Sequence, residues 1–209
     1  MTKKISLIGI LLISMISVGQ NEATDYGFKG GLNYSSLIDN NSNGLQPDYS
    51  GKIGFYIGAF LSLDLNEKFT LRPELLFSQQ GSNFNIDFSD LNIFDPDDPR
   101  FIASTDGSIN ESIILLPVLL QFGVAEKLGL GFGPQFGYVL SRKIDYDTNP
   151  INTQFIQNDD SEKIELGISL DAEYLLNDNF GLNLRYNYGI LERQNFNSSV
   201  LQLGVNYKL

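Results

Sequence analysis

Leu201-Gln202-Leu203-Gly204-Val205-Asn206-Tyr207-Lys208-Leu209 alternates without a break. Leu201, Leu203, Val205, Tyr207 and Leu209 fall on one side, and Gln202, Gly204, Asn206 and Lys208 on the other. A period of two is the signature of a β-strand with one apolar and one polar face. The alternation reaches the last residue, so the chain is expected to end inside a strand with no tail beyond it.

Seven further segments have strand character. Tyr26, Phe28, Leu32 and Tyr34 oppose Lys29, Gly31 and Asn33 within residues 26–36. Ile53, Phe55, Ile57, Ala59, Leu61 and Leu63 form an unbroken apolar face. Phe69, Leu71, Leu75 and Phe77 oppose Thr70, Arg72, Glu74, Ser78 and Gln80, with Leu76 the apolar exception. Residues 112–124 are apolar on both faces, which leaves their orientation open. Leu128, Leu130, Phe132, Phe136, Tyr138 and Leu140 oppose a glycine-rich face, Gly129, Gly131, Gly133, Gln135 and Gly137. Ile164, Leu166, Ile168, Leu170, Ala172 and Tyr174 oppose Lys163, Glu165, Gly167, Ser169, Asp171 and Glu173. Phe180, Leu182, Leu184, Tyr186, Tyr188 and Ile190 oppose Gly181, Asn183, Arg185, Asn187 and Gly189.

Connections alternate in length. Asn66-Glu67-Lys68, Ala125-Glu126-Lys127 and Asn177-Asp178-Asn179 are tight turns, whereas 38–50, 83–107, 145–161 and 192–198 are long joints. Short turns at one end and long loops at the other are the plan of an outer-membrane barrel. The fold class expected is all-β: an eight-stranded antiparallel up-and-down transmembrane β-barrel, with both termini at the periplasmic end. Aromatics near strand ends, such as Tyr26, Phe69, Tyr174, Phe180, Tyr186 and Tyr207, suit interfacial girdles. The alternative is a soluble periplasmic lipocalin-like barrel binding a small apolar ligand, with its faces inverted. Polar faces rich in Gly and Asn, with Arg72 near Glu74 and Lys163 near Glu165, resemble a narrow lumen more than a solvated surface. Pro73 and Pro117 remove ladder donors, and a bulge is expected at each.

The first residues address the compartment. Lys3 and Lys4 precede an apolar run over residues 5–18, with small residues at Ser17-Val18-Gly19, the layout of a secretory signal peptide. That run is shorter than the roughly 20 residues a spanning helix requires. The expected organisation is a cleaved signal over 1–19 and a barrel domain over 20–209, located in the outer membrane.

Composition narrows the chemistry. The formal net charge is −11; without Lys3 and Lys4 the 14 basic residues become 12 against 25 acidic, or −13, which argues against nucleic acid. With no cysteine there is no disulfide or thiolate site, and with no histidine a Ser-His or Asp-His device is impossible. Asp171 and Glu173 could in principle share acid–base work. A structural ion-pair network filling the lumen, drawn from Arg72, Glu74, Lys163, Glu165, Asp171, Glu173 and Arg185, is the reading adopted. No catalytic residue, cofactor or metal is expected. Asp95-Pro96-Asp97-Asp98-Pro99 lacks the regular spacing of a calcium loop. The stretch around it mixes acids with apolar groups, and Phe88, Phe94, Asp95, Asp97, Asp98 and Phe101 are candidates for recognition by a loop.

Three motifs carry a family resemblance. Gly27-Phe28-Lys29-Gly30-Gly31-Leu32-Asn33-Tyr34-Ser35 resembles the first strand of the PorT-like outer-membrane β-barrels of Bacteroidota. Leu71-Arg72-Pro73-Glu74-Leu75-Leu76-Phe77-Ser78-Gln79-Gln80-Gly81 is similar to their "PEL…Y…QKG" segment, and Leu116-Pro117-Val118-Leu119-Leu120 to their "IPLL" strand. The resemblance implies an outer-membrane location, with the lipid and the barrel-assembly machinery as partners, and supplies no catalytic residue. Such chains commonly end in Phe, whereas this one ends in Leu209. The expected role is a monomeric, non-enzymatic barrel acting in surface structure or recognition, with an accessory role in protein secretion as a lesser alternative.

Overall fold

In the computed structural model, residues 24–39, 47–87, 104–146, 163–193 and 196–209 are described. Eight strands occupy them: β1 (Thr24–Asp39), β2 (Asp48–Asp64), β3 (Phe69–Asp87), β4 (Ser104–Ala125), β5 (Leu128–Tyr146), β6 (Ile164–Leu175), β7 (Phe180–Gly189) and β8 (Phe196–Lys208). Every neighbour is antiparallel, and β1 pairs with β8 to close the barrel. No helix among these residues is long and apolar enough to cross a membrane; the crossing is made by strands. Closure satisfies the backbone where no water can.

Two of the three tight turns share one construction. Asn66 Oδ1 accepts from the amides of Lys68 (2.9 Å) and Phe69 (3.0 Å), and Asn177 Oδ1 from those of Asn179 (3.0 Å) and Phe180 (2.8 Å). An Asx turn of this kind suits a short polar loop between strands. Both termini of the sheet lie at this end, where the Leu209 amide donates to the Tyr26 carbonyl (3.0 Å).

At the other end the strands outrun their apolar alternation. The strands run into stretches that read as loop, over 38–39, 48–50, 83–87, 104–107 and 145–146, and β3 pairs with β4 as far as Asp87–Ser104 and β4 with β5 as far as Gly107–Tyr146. The wall formed by β2–β5 therefore rises above that of β6 and β7. The physical reason is a reversal of the pattern. Below the rung Gln79–Ser112–Ser141, Phe69, Leu71, Leu75 and Phe77 point outward; above it, Asn83 and Asn85 take the outer face while Phe84 and Ile86 turn inward. A hydrophobic stripe that changes face cannot be followed as one strand in sequence.

The expected bulges at Pro73 and Pro117 are absent. Pro73 pairs with Val118 and Leu76 with Leu115 in unbroken register, as do Pro117 with Gln135 and Leu120 with Phe132. A missing N–H interrupts the ladder without requiring an extra residue. Register shifts lie instead between Gly51 and Phe55, between Ser112 and Ile113, and between Gly123 and Ala125.

Facing settles lipid against core. Leu32 (62%), Ile57 (60%), Leu170 (57%) and Leu203 (62%) are bare on the outer wall, while Arg185 (0%), Glu74 (4%) and Asp171 (4%) are enclosed. A soluble barrel has the opposite arrangement, so the lipocalin-like alternative is overturned. On β7 the outward set Phe180–Ile190 rises ten residues, roughly 25 Å at the usual strand rise and tilt, which is the height of a bilayer's apolar band.

Candidate functional site: the lumen and its outer mouth

The lumen is built in layers. Nearest the turns, Arg72 Nη1 reaches Glu173 Oε2 across the barrel (2.6 Å), its Nε donates to Ser62 (3.2 Å), and its guanidinium stacks 4.6 Å over the Phe60 ring. Asn206 donates to the other Glu173 oxygen (2.5 Å). Gly27 faces Phe60 at a point where a Cβ would come within 2.6 Å of the ring, so that glycine leaves room for the aromatic plug.

The next layer centres on Arg185. Its Nη1 and Nη2 grip both oxygens of Glu74 (2.7 and 2.8 Å), and its Nε donates to Asp171 (2.7 Å). Lys29 Nζ shares Glu74 (3.1 Å), and Asn183 donates to Asp171 (2.7 Å). Three cations, Lys29, Arg72 and Arg185, thus meet three anions, Glu74, Asp171 and Glu173. Bidentate geometry and full pairing are what make buried charge tolerable.

Above this cluster the β2–β5 side of the interior turns apolar, while Asn33, Ser169 and Asn187 keep the other side polar. Tyr56, Leu76, Ile113, Leu115 and Val139 pack together there, an apolar addition to the narrow polar lumen expected. It also fixes the orientation of β4: Ile113, Leu115, Pro117 and Leu119 face inward, and Ile114, Leu116, Val118 and Leu120 outward.

A second charged layer follows. Arg193, from the β7–β8 connection, donates to both oxygens of Glu111 (3.2 and 3.0 Å) and to Glu165 (2.8 Å). Arg142 Nε joins Glu111 at 2.5 Å. Arg142 points inward because Leu140 is an extra residue on β5, with Ser141 opposite Ser112 and Val139 opposite Ile113, and the side chains beyond it change face. Two cations again meet two anions. The mouth is closed by rings: Tyr49 lies 5.1 Å from Phe196 and 6.3 Å from Phe84, and Phe84 lies 5.4 Å from Tyr146.

The structure places Arg72, Glu74, Asp171, Glu173 and Arg185 in the lower cluster and Glu165 in the upper one. Arg72 and Glu74, two residues apart on one strand, each reach a different partner. Lys163 stands just before β6 at the rim, where its carbonyl accepts the Val139 amide (2.8 Å). Lys29, Glu111, Arg142 and Arg193 complete the clusters and were not singled out from sequence. Lys29 had the signal, an inward position on the first strand; Arg193 sits in a joint that reads as loop, and Glu111 falls between the joint ending at 107 and the segment 112–124. The candidates Phe88, Phe94, Asp95, Asp97, Asp98 and Phe101 lie outside the described residues.

Asp171 and Glu173 are fully engaged as acceptors. Asp171 Oδ1 takes Arg185 and Asn183, Oδ2 lies 3.5 Å from the Gln121 amide, and the Glu173 oxygens take Arg72 and Asn206. Such groups fill the lumen as part of its bonded network. The assembly is a closed transmembrane β-barrel with a charged, filled interior and a lipid-facing apolar wall.

Sequence comparison agrees with that class. Residues 19–192 match the family described as outer membrane protein beta-barrel domain, and the chain belongs to it. It is an integral outer-membrane protein. Its fold is similar to that of the attachment invasion locus protein Ail of Yersinia pestis, solved with the heparin analogue sucrose octasulfate, at 12% identity and TM-score 0.51 over 89% of this chain and 99% of that one. It is likewise similar to Neisserial surface protein A, at 14% identity and TM-score 0.52 over 90% of this chain and 100% of that one. No curated protein sequence matches.

Proposed function

We propose that this protein is a non-enzymatic, monomeric outer-membrane barrel that conducts no solutes and serves as a rigid post for surface recognition. The observation that carries the reading is the pair of neutral ion clusters lying one above the other across the lumen, with buried side chains between them, apolar on the β2–β5 side and polar (Asn33, Ser169, Asn187) on the other. A porin-like conduit holds a water-filled path, whereas here buried, mutually bonded side chains occupy the lumen. β3 ends at Asp87 and β4 begins at Ser104, and the connection between them carries Phe88, Phe94, Asp95, Asp97, Asp98 and Phe101, the candidates for recognition. Loops on a rigid scaffold are where binding resides.

Finer assignments follow the same reading. The motifs around Pro73 and Pro117 support a place among the PorT-like barrels of Bacteroidota. The layout of residues 1–19 supports export with removal of that segment, and the barrel-assembly machinery is the partner for insertion. Planar-bilayer recording tests the closed lumen. No steady current is expected from the wild-type protein. A stable conductance would contradict the reading.

A further inference from the structure

The ladder between β2 and β3 is broken near the upper edge of the apolar band. Between the rungs Gly51–Ser82 and Phe55–Gln79, residues 52–54 of β2 face only residues 80 and 81 of β3. Backbone groups left over at such a bulge need other partners. They find them in side chains of β1, the strand on the far side of β2. Ser35 Oγ accepts from the Gly81 amide (2.8 Å), donates to the Gly81 carbonyl (2.8 Å) and lies 3.4 Å from that of Lys52. Asn33 Nδ2 donates to the carbonyls of Phe55 (3.2 Å) and Gln79 (3.0 Å). Here β2 and β3 are joined by side chains from the lumen and not by a continuous ladder.

A hollow of about 320 Å³ borders the break. Its lining comes from both faces of the wall. Gln79, Ser112 and Ser141 belong to the outward rung, whereas Gly54, Gln80 and Glu111 are on the inward face. Gln80 is 7% exposed, and its side-chain carbonyl has no hydrogen-bond partner. A buried amide oxygen in that state calls for a donor from outside the chain. Glu111 pairs in register with Gln80, and its carboxylate is held by Arg142 and Arg193, so the inner end of the hollow is closed by the upper ionic layer.

We propose that the hollow is a polar port through the wall at the β2–β3 break, which admits water and small hydroxyl-bearing molecules from the outer surface to the Gln80 carbonyl. The lining sets the class of ligand. Gln79, Gln80, Asn110, Ser112 and Ser141 offer amides and hydroxyls, groups that both donate to and accept from a hydroxyl. A space of this size exceeds what one water occupies. The port ends blindly at Glu111, which is compatible with a lumen that conducts no solutes.

The chain has no natural cysteine, so single cysteines report access directly. Gln80→Cys and Gln135→Cys each place a thiol on the inward face; Gln135 is equally buried (3%) and does not border the hollow. Each variant is verified as a folded barrel by its heat-dependent gel mobility and placed in phosphatidylcholine nanodiscs. Its reaction with hydroxyethyl methanethiosulfonate, a small neutral hydroxyl-bearing reagent, is followed by mass spectrometry. Gln80→Cys is expected to react about 10-fold faster than Gln135→Cys, since thiol reactivity follows access. Adding Ser112→Trp, which fills the hollow from outside, is expected to remove that advantage; Ser141→Trp replaces it should the first fail to fold. Leu184→Trp, on the outer wall of β7, is expected to change nothing. The tryptophan pair leaves the same cysteine in the same surroundings and so reads access alone. Equal rates for the two cysteines would overturn the proposal. So would a fast Gln80→Cys reaction that neither hollow-filling tryptophan slows, because the reagent would then arrive through the mouth and not through the wall.

Discussion

Arg185 has no exposed surface, and three of its nitrogens are committed to Glu74 and Asp171. Removing the guanidinium would strand two buried carboxylates with Lys29 as the nearest counter-charge. Breaking a buried pair in this way costs about 3–5 kcal/mol, more than the pair adds over an apolar filling. Arg185→Ala is therefore expected to lower the urea stability of the vesicle-inserted barrel by about that amount. Arg185→Lys should recover only part of it, since an ammonium cannot reproduce the two-pronged grip on Glu74. Equal stability of Arg185→Lys and wild type would show that charge alone, and not geometry, holds the layer.

These partners could not be read from the chain. Arg72 and Glu74 lie on the same face, and their nearness in sequence suggests a pair. Residues two apart on a strand stand about 7 Å from each other, while the closed wall brings Glu173 within 2.6 Å of Arg72. Which residues meet across a lumen depends on strand stagger, and local sequence does not carry that information.

At the scale of the strand, legibility followed the apolar stripe. Seven segments with a clean alternation became lipid-facing strands. Residues 112–124 gave no clean alternation because Ile113, Leu115 and Leu119 point into the lumen while Ile114, Leu116 and Leu120 face lipid. The upper sheet was hidden by its reversal at Gln79, Ser112 and Ser141. Two substitutions on the outer wall test that reversal. Ile168→Arg, within the band, is expected to cost about 2–4 kcal/mol. Asn85→Arg, above it and beside Asp106 (2.7 Å from the Asn85 amide), is expected to change stability by less than about 0.5 kcal/mol. Similar costs at the two positions would mean that the band does not end where the pattern turns.

The bulge on β5 makes a further claim at this scale. Deleting Leu140 would restore a regular ladder and send Arg142 to the outer face, leaving Glu111 with Arg193. A loss of about 1–3 kcal/mol is expected, measurable by urea unfolding and abolished in an Arg142→Leu background. An undiminished loss in that background would mean that the bulge matters for curvature and not for aiming the arginine.

For the whole molecule, the layers explain one another. A wall that is apolar outside must hold its charge inside, and a narrow lumen can hold charge only in neutral, fully bonded sets. Above the bilayer the solvent changes, so the sheet changes face: aromatics close the mouth and Asn and Asp meet water. The orientation of every residue discussed depends on one statement, that the outer wall from Phe180 to Ile190 and its neighbours is solvated by lipid. Membrane fractionation followed by gel electrophoresis with and without boiling tests it most directly. Recovery in the outer membrane, with faster migration of the unboiled sample, is the expected result and marks a closed detergent-resistant barrel. A soluble species whose mobility does not depend on heating would contradict the account.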